Sequence, residues 1–155
     1  MSVVNRRAQF PLGRVALAAV AGGATAAAAN TGLFLLLHGL GVDFSIQPIP
    51  TAPAAPIPIY NFAVASFLPA LIAGGLLLLL GRFTTRAATT FVVIACAFCL
   101  VSLAGPATVG GASAATRMAL MLMHLLAAVV ISTALMRSAV MTEPREVPAA
   151  AVERA

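Results

Sequence analysis

VALAAVAGGATAAAANTGLFLLLHGL, residues 15–40, contains no Asp, Glu, Lys or Arg. A helix rises about 1.5 Å per residue, and about 20 mostly apolar residues cross a hydrocarbon core of about 30 Å. This stretch is therefore long enough to span a bilayer. Three further runs repeat the pattern at 62–81, 87–104 and 117–137, the last charge-free from 118 to 136. The expected fold is all-α: a four-transmembrane-helix bundle.

Composition leads to the same class. Of 155 residues, 61% are hydrophobic and 8% charged, with a mean hydropathy of +1.05. A soluble domain carries roughly a quarter charged residues, so this chain lacks the polar surface to cover a core in water. One bundle, residues 14–137, uses most of the chain as a single domain. A basic tail precedes it at 1–13, and a disordered tail is expected at 138–155. Arg6, Arg7 and Arg14 ahead of an apolar run imitate a signal peptide, but Leu33 to Leu37 extend the run beyond a signal core. An uncleaved first helix is expected.

The net charge of +5 comes from nine arginines and four acids. In a soluble protein this would point to nucleic acid, but here the arginines lie at the ends of apolar runs, where lipid headgroups hold them. Arg6, Arg7, Arg14, Arg82, Arg86, Arg137, Arg145 and Arg154 fall on one side of the layout, and Arg117 falls alone on the other. Positively charged loops stay in the cytoplasm. The arrangement predicts a multi-pass protein of a bacterial inner membrane with both termini cytoplasmic.

The connections differ in character. The outer loop, residues 42–60, carries Pro48, Pro50, Pro53, Pro56 and Pro58 and predicts polyproline-like backbone. Phe44, Ile46, Ile49, Ile57 and Ile59 make it too apolar for a free linker, so it should lie on the bundle mouth or the headgroups. Arg82 to Arg86 form a short second connection. Gly105-Pro106 should stop the third helix and open a Gly/Ala/Ser-rich third loop.

Lipid gives no hydrophobic drive between helices, so small residues mark where backbones approach. Gly22, Gly23 and Ala26 in the first span, and Gly74 and Gly75 in the second, are the expected packing positions. A contact within the bundle and a seam between copies are both compatible with these stripes. Pro69 removes a backbone donor inside the second span and should kink it.

Polar side chains inside a membrane are costly and each needs a reason. Asn30, His38, Ser66, Ser102, Arg117 and His124 are the candidates, and most fall in the predicted outer half. Arg117, Met121 and His124 share a face at i, i+4 and i+7. Two readings follow. The six residues form an outward-facing polar cleft, or His124 bonds Asn30, Ser66 or Ser102 across the bundle and locks helices. His38, His124 and Asp43 are too few for a zinc site, which takes three or four ligands, so no metal is expected. No cofactor is expected either. Cys96 and Cys99 form a CxxC inside an apolar run rather than at a helix N-terminus, where such thiols become reactive. Met118, Met121 and Met123 point in different directions and read as adaptable packing.

Ser102-Leu103-Ala104-Gly105-Pro106 and the run from Met121 to Val130, with the four-span layout, resemble a family of uncharacterised bacterial membrane proteins defined only as a domain of unknown function. The resemblance covers roughly residues 14–137. It implies four spans and a histidine in the fourth, and no activity.

Three functions fit the sequence. The first is a non-enzymatic membrane protein that binds helices, lipid or a partner protein. The second is a small transporter or ligand-binding subunit using the outer cleft. The third is an intramembrane thiol redox enzyme. Membrane lipids, a second copy or another membrane protein are the expected partners, and nucleic acid is not.

Overall fold

A computed structural model describes residues 10–140. The basic residues Arg6 and Arg7 and the tail beyond residue 140 lie outside the described residues. Four helices are long and apolar enough to cross a membrane. In chain order the elements are α1 (Leu12–Gly39), β1 (Ser45–Ile46), β2 (Ala55–Pro56), α2 (Ile59–Phe83), α3 (Ala87–Ser102), α4 (Ala104–Thr108) and α5 (Ala114–Val140). α3 and α4 together form one apolar span, Ala87–Thr108. α1 packs chiefly on α2 and then on α5, while α3 makes smaller interfaces with the same two helices. α1 and α3 therefore occupy opposite corners of the bundle.

Helix ends follow local chemistry. α1 stops because Gly41 adopts φ +91°, which a side chain would oppose. The Gly41 N–H donates to the His38 carbonyl at 3.0 Å, and the Val42 N–H donates to the Leu37 carbonyl at 3.0 Å. This is a Schellman closure, completed by apolar packing of Val42 and Leu37 in one cluster. α5 begins three residues earlier than its apolar run implies. Ser113 caps it: its Oγ accepts the Thr116 N–H at 3.1 Å and its carbonyl accepts the Arg117 N–H at 3.0 Å. At the other end α5 runs to Val140, so residues 138–140 are helical rather than part of a tail.

Gly105-Pro106 does not stop the chain as expected. The helix breaks at Leu103, and Gly105 and Pro106 then sit in the first turn of α4. Proline is tolerated there because its missing N–H would have had no helical partner. The turn comes later, at Val109 to Gly111, where Gly111 takes φ +71°. α2 continues helical through Pro69.

The outer loop departs from polyproline geometry at a turn, where the Ala52 N–H donates to the Ile49 carbonyl at 3.0 Å, and at a short ladder. Ser45 and Ile46 pair antiparallel with Pro56 and Ala55. Pro56 fits this two-stranded ladder because each strand is an edge. The Gln47 N–H donates to the Gly110 carbonyl at 2.8 Å, which fastens this loop to the third one.

The core has two parts. Near the Arg82 end, Val15, Ala19, Ala70, Leu77, Phe91, Ile131 and Leu135 are buried together. Near the outer loop, Phe34, Phe44, Phe62, Ala119 and Met123 form a second cluster. Phe44 is supplied by the loop, not by a span. Its ring lies 4.8 Å from Phe34 and meets Phe62 edge-on at 5.6 Å, so the loop closes the mouth of the bundle with an aromatic plug.

Candidate functional site

α1 and α2 meet along an antiparallel seam with a regular alternation. Ala19 sits on Gly74, and Ala70 sits on Gly23. A Cβ added at Gly74 would lie 2.8 Å from Ala19 Cβ, and one at Gly23 would lie 2.9 Å from Ala70 Cβ. Each helix thus offers a methyl to the other's glycine. On its α5 side, α1 approaches at Gly22, where an added Cβ would lie 2.8 Å from Ala134 Cβ. Ala26 is fully buried between these contacts. Gly75 does not belong to this set. It is exposed, and an added Cβ there would meet nothing within 4 Å. Gly74 and Gly75 are about 100° apart around the helix, so only one can face α1.

Further along the same seam the small residues give way to polar ones. Asn30 is 5% exposed and Ser66 1%. Asn30 Nδ2 donates to Ser66 Oγ at 2.8 Å and to the Met123 carbonyl at 3.1 Å. Ser66 Oγ donates in turn to the Phe62 carbonyl at 2.7 Å. A carbonyl only accepts, so the Met123 contact fixes which end of the Asn30 amide points at α5. One side chain thereby joins α1, α2 and α5. Its Oδ1 is buried with no hydrogen-bond partner. The next turn of the seam is aromatic: Phe34 and Phe62 stack with centroids 4.5 Å apart.

The other candidates do not converge on this junction. His124 is half-buried, and its Nδ1 donates to the Leu120 carbonyl of its own helix at 2.8 Å. A bond from His124 to Asn30, Ser66 or Ser102, one of the two readings of this residue, is not made; the ring nitrogen is engaged by the Leu120 carbonyl. Ser102 donates to the Cys99 carbonyl one turn back, at 2.7 Å. His38 is exposed, stacks on Phe34 at 5.5 Å, and sets Nδ1 3.3 Å from the Val42 carbonyl. Arg117 is half-buried, with its Nε enclosed and unpartnered. Cys96 and Cys99 are free thiols, and Cys96 is exposed on the outside of the bundle. No three His, Cys, Asp or Glu side chains gather as metal ligands among the described residues.

Two contributors lay outside the sequence reading. The Met123 carbonyl is backbone and carries no signature in side-chain pattern. Thr116 is fully buried and donates its hydroxyl to the Asp43 carbonyl, holding the outer loop against α5. The spacing Ser113 to Thr116, a cap followed by a hydroxyl three residues on, was the available signal for that helix start.

Comparison with curated proteins found no match, and comparison with solved structures found none. The match that exists is to a family profile, and it runs through all four spans, the Asn30 junction and the fourth-span histidine: residues 10–141 match the family of unknown function DUF6069, to which this chain belongs.

Proposed function

We propose that this chain is a non-enzymatic multi-pass membrane protein whose bundle is a fixed frame for binding lipid or a partner protein. The Asn30 junction carries the reading. Asn30 and Ser66, the buried polar side chains of the α1–α2 seam, are engaged in tying three helices together. The aromatic plug and the Thr116 bond fix the outer loop in the same way. The arginine distribution supports both termini in the cytoplasm, with the outer loop on the far side of an inner membrane.

A second reading, a small transporter, draws on two enclosed atoms without partners among the described residues, Asn30 Oδ1 and Arg117 Nε. Buried polar atoms of this kind are where a water or a passing ligand finds its partner. Liposomes carrying the purified protein and a pH-sensitive dye separate the two. The frame reading expects no proton or solute flux above protein-free vesicles, and a stability loss alone in Asn30→Leu. Flux through the wild type that disappears in Asn30→Leu would establish transport instead.

A further inference from the structure

At the Arg82 end of the bundle, the α1–α2 seam opens outward into a groove of about 200 Å³. Ala16 and Val20 of α1 and Leu71, Gly75 and Leu78 of α2 line it, with Gly74 among them. The groove exists because residue 75 has no side chain: an added Cβ would meet nothing within 4 Å. Compact ligands occupy pockets of about 300–1,000 Å³ lined with several polar groups. This groove is smaller and its side chains are all apolar, so it suits a slender hydrocarbon chain.

Its end is charged. Leu71, Gly75, Leu78 and Arg82 follow i, i+4, i+7 and i+11 spacing and share one face of α2. Arg82 lies one turn beyond Leu78, is exposed, and has no ion-pair partner among the described residues. From Gly75 to Arg82 is about 10 Å along the helix axis at ~1.5 Å per residue. The face therefore presents an apolar channel that finishes at a guanidinium, the group best matched to a phosphate.

We propose that this groove binds one anionic phospholipid, with an acyl chain along Gly75 and the headgroup phosphate on Arg82. A helix from a second copy fits the charge less well. Two copies in one membrane share an orientation, and groove-to-groove contact would bring one Arg82 against the other. The inference rests on the lipid- or partner-binding reading above. Its lining includes none of the side chains that make the Asn30 junction, so either can fail alone.

The test is native mass spectrometry of the full chain in mild detergent, titrated with phosphatidylglycerol and with phosphatidylcholine of the same acyl composition. One arginine near a headgroup should give about a five-fold preference for the anionic lipid. Arg82→Gln should bring the two lipids level. Gly75→Leu should reduce retention of both, with helix content and thermal midpoint unchanged. Arg137→Gln, an exposed arginine on α5, should leave the preference intact. Equal retention by the wild type, a preference that survives Arg82→Gln, or wild-type retention by folded Gly75→Leu would each overturn the proposal. So would a wild-type dimer that Gly75→Leu splits into monomers, which would assign the groove to a second copy.

Discussion

Asn30 and Ser66 share a 2.8 Å hydrogen bond at the level where the α1–α2 seam changes from methyl-on-glycine packing to stacked aromatic rings. Below this level the helices are held by close approach, and above it by ring area. The amide also hydrogen-bonds α5, through the Met123 carbonyl.

Replacing Asn30 tests that link. Interhelical hydrogen bonds in membranes contribute about 0.6–2 kcal/mol. Asn30→Leu should cost about 1 kcal/mol, because it also removes the unpartnered Oδ1. Asn30→Asp should cost more: a carboxylate cannot donate and would face the Met123 carbonyl in an apolar interior. Reversible unfolding in mixed micelles reads both, and an aspartate variant as stable as the leucine variant would refute the assigned amide orientation.

Gly74 and Gly75 are neighbours in sequence with opposite environments. Gly74→Ala forces a methyl to within 2.8 Å of Ala19 Cβ, which has no rotamer with which to give way. The helices must separate, at about 1–3 kcal/mol for overpacking of this kind. Gly75→Ala should be neutral or stabilising, since it meets open space. Adding Ala19→Gly to Gly74→Ala should recover most of the loss. Thermal melts of the three variants against the wild type make this comparison, and equal effects at 74 and 75 would contradict the seam.

The apolar runs made the four spans legible, because length and hydropathy alone decide whether a segment can cross a bilayer. Asn30 and Ser66 were legible as costly polar groups, but their pairing was not. Pairing depends on how far one helix slides and rotates against another, and a single chain carries no record of that. The same ignorance of rotation made Gly74 and Gly75 look equivalent. The partner of His124 was not legible either: its Nδ1 meets a carbonyl of its own helix, four residues back, which no cross-bundle pattern announces. The outer loop's apolar residues, Phe44 among them, made its contact with the bundle mouth legible, whereas its bonds to the Gly110 carbonyl and the Thr116 hydroxyl left no mark in the sequence pattern.

Phe44 is 3% exposed although it belongs to a loop. Phe44→Ala should cost about 3 kcal/mol, the low end for removal of a buried phenyl ring. It should also raise amide hydrogen exchange across residues 42–57 more than in the spans. Exchange unchanged in that segment would mean that the ring does not hold the loop down.

Orientation is open to a direct measurement. In a Cys96→Ala, Cys99→Ala background, a cysteine at Thr51 should react with an impermeant thiol reagent in intact cells, and one at Thr85 should not. The background itself should retain the parent's thermal stability within about 1 kcal/mol, since the pair occupies exposed and half-buried positions. Labelling at Thr85 alone would invert the topology.

Three of the hydrogen bonds that close the bundle are made late in the chain. The Met123 carbonyl, the Thr116 hydroxyl and the Gly110 carbonyl reach back to Asn30, Asp43 and Gln47 respectively. During synthesis the first two spans would enter the bilayer with one amide hydrogen of Asn30 unanswered and the outer loop unfastened. Closure of the nascent bundle is then signalled by arrival of α5, and a chain released before Ser113 would present quality-control proteases with an unsealed hairpin. Pulse-chase of such a truncation should show faster turnover than the full chain, and equal lifetimes would deny the last span that role.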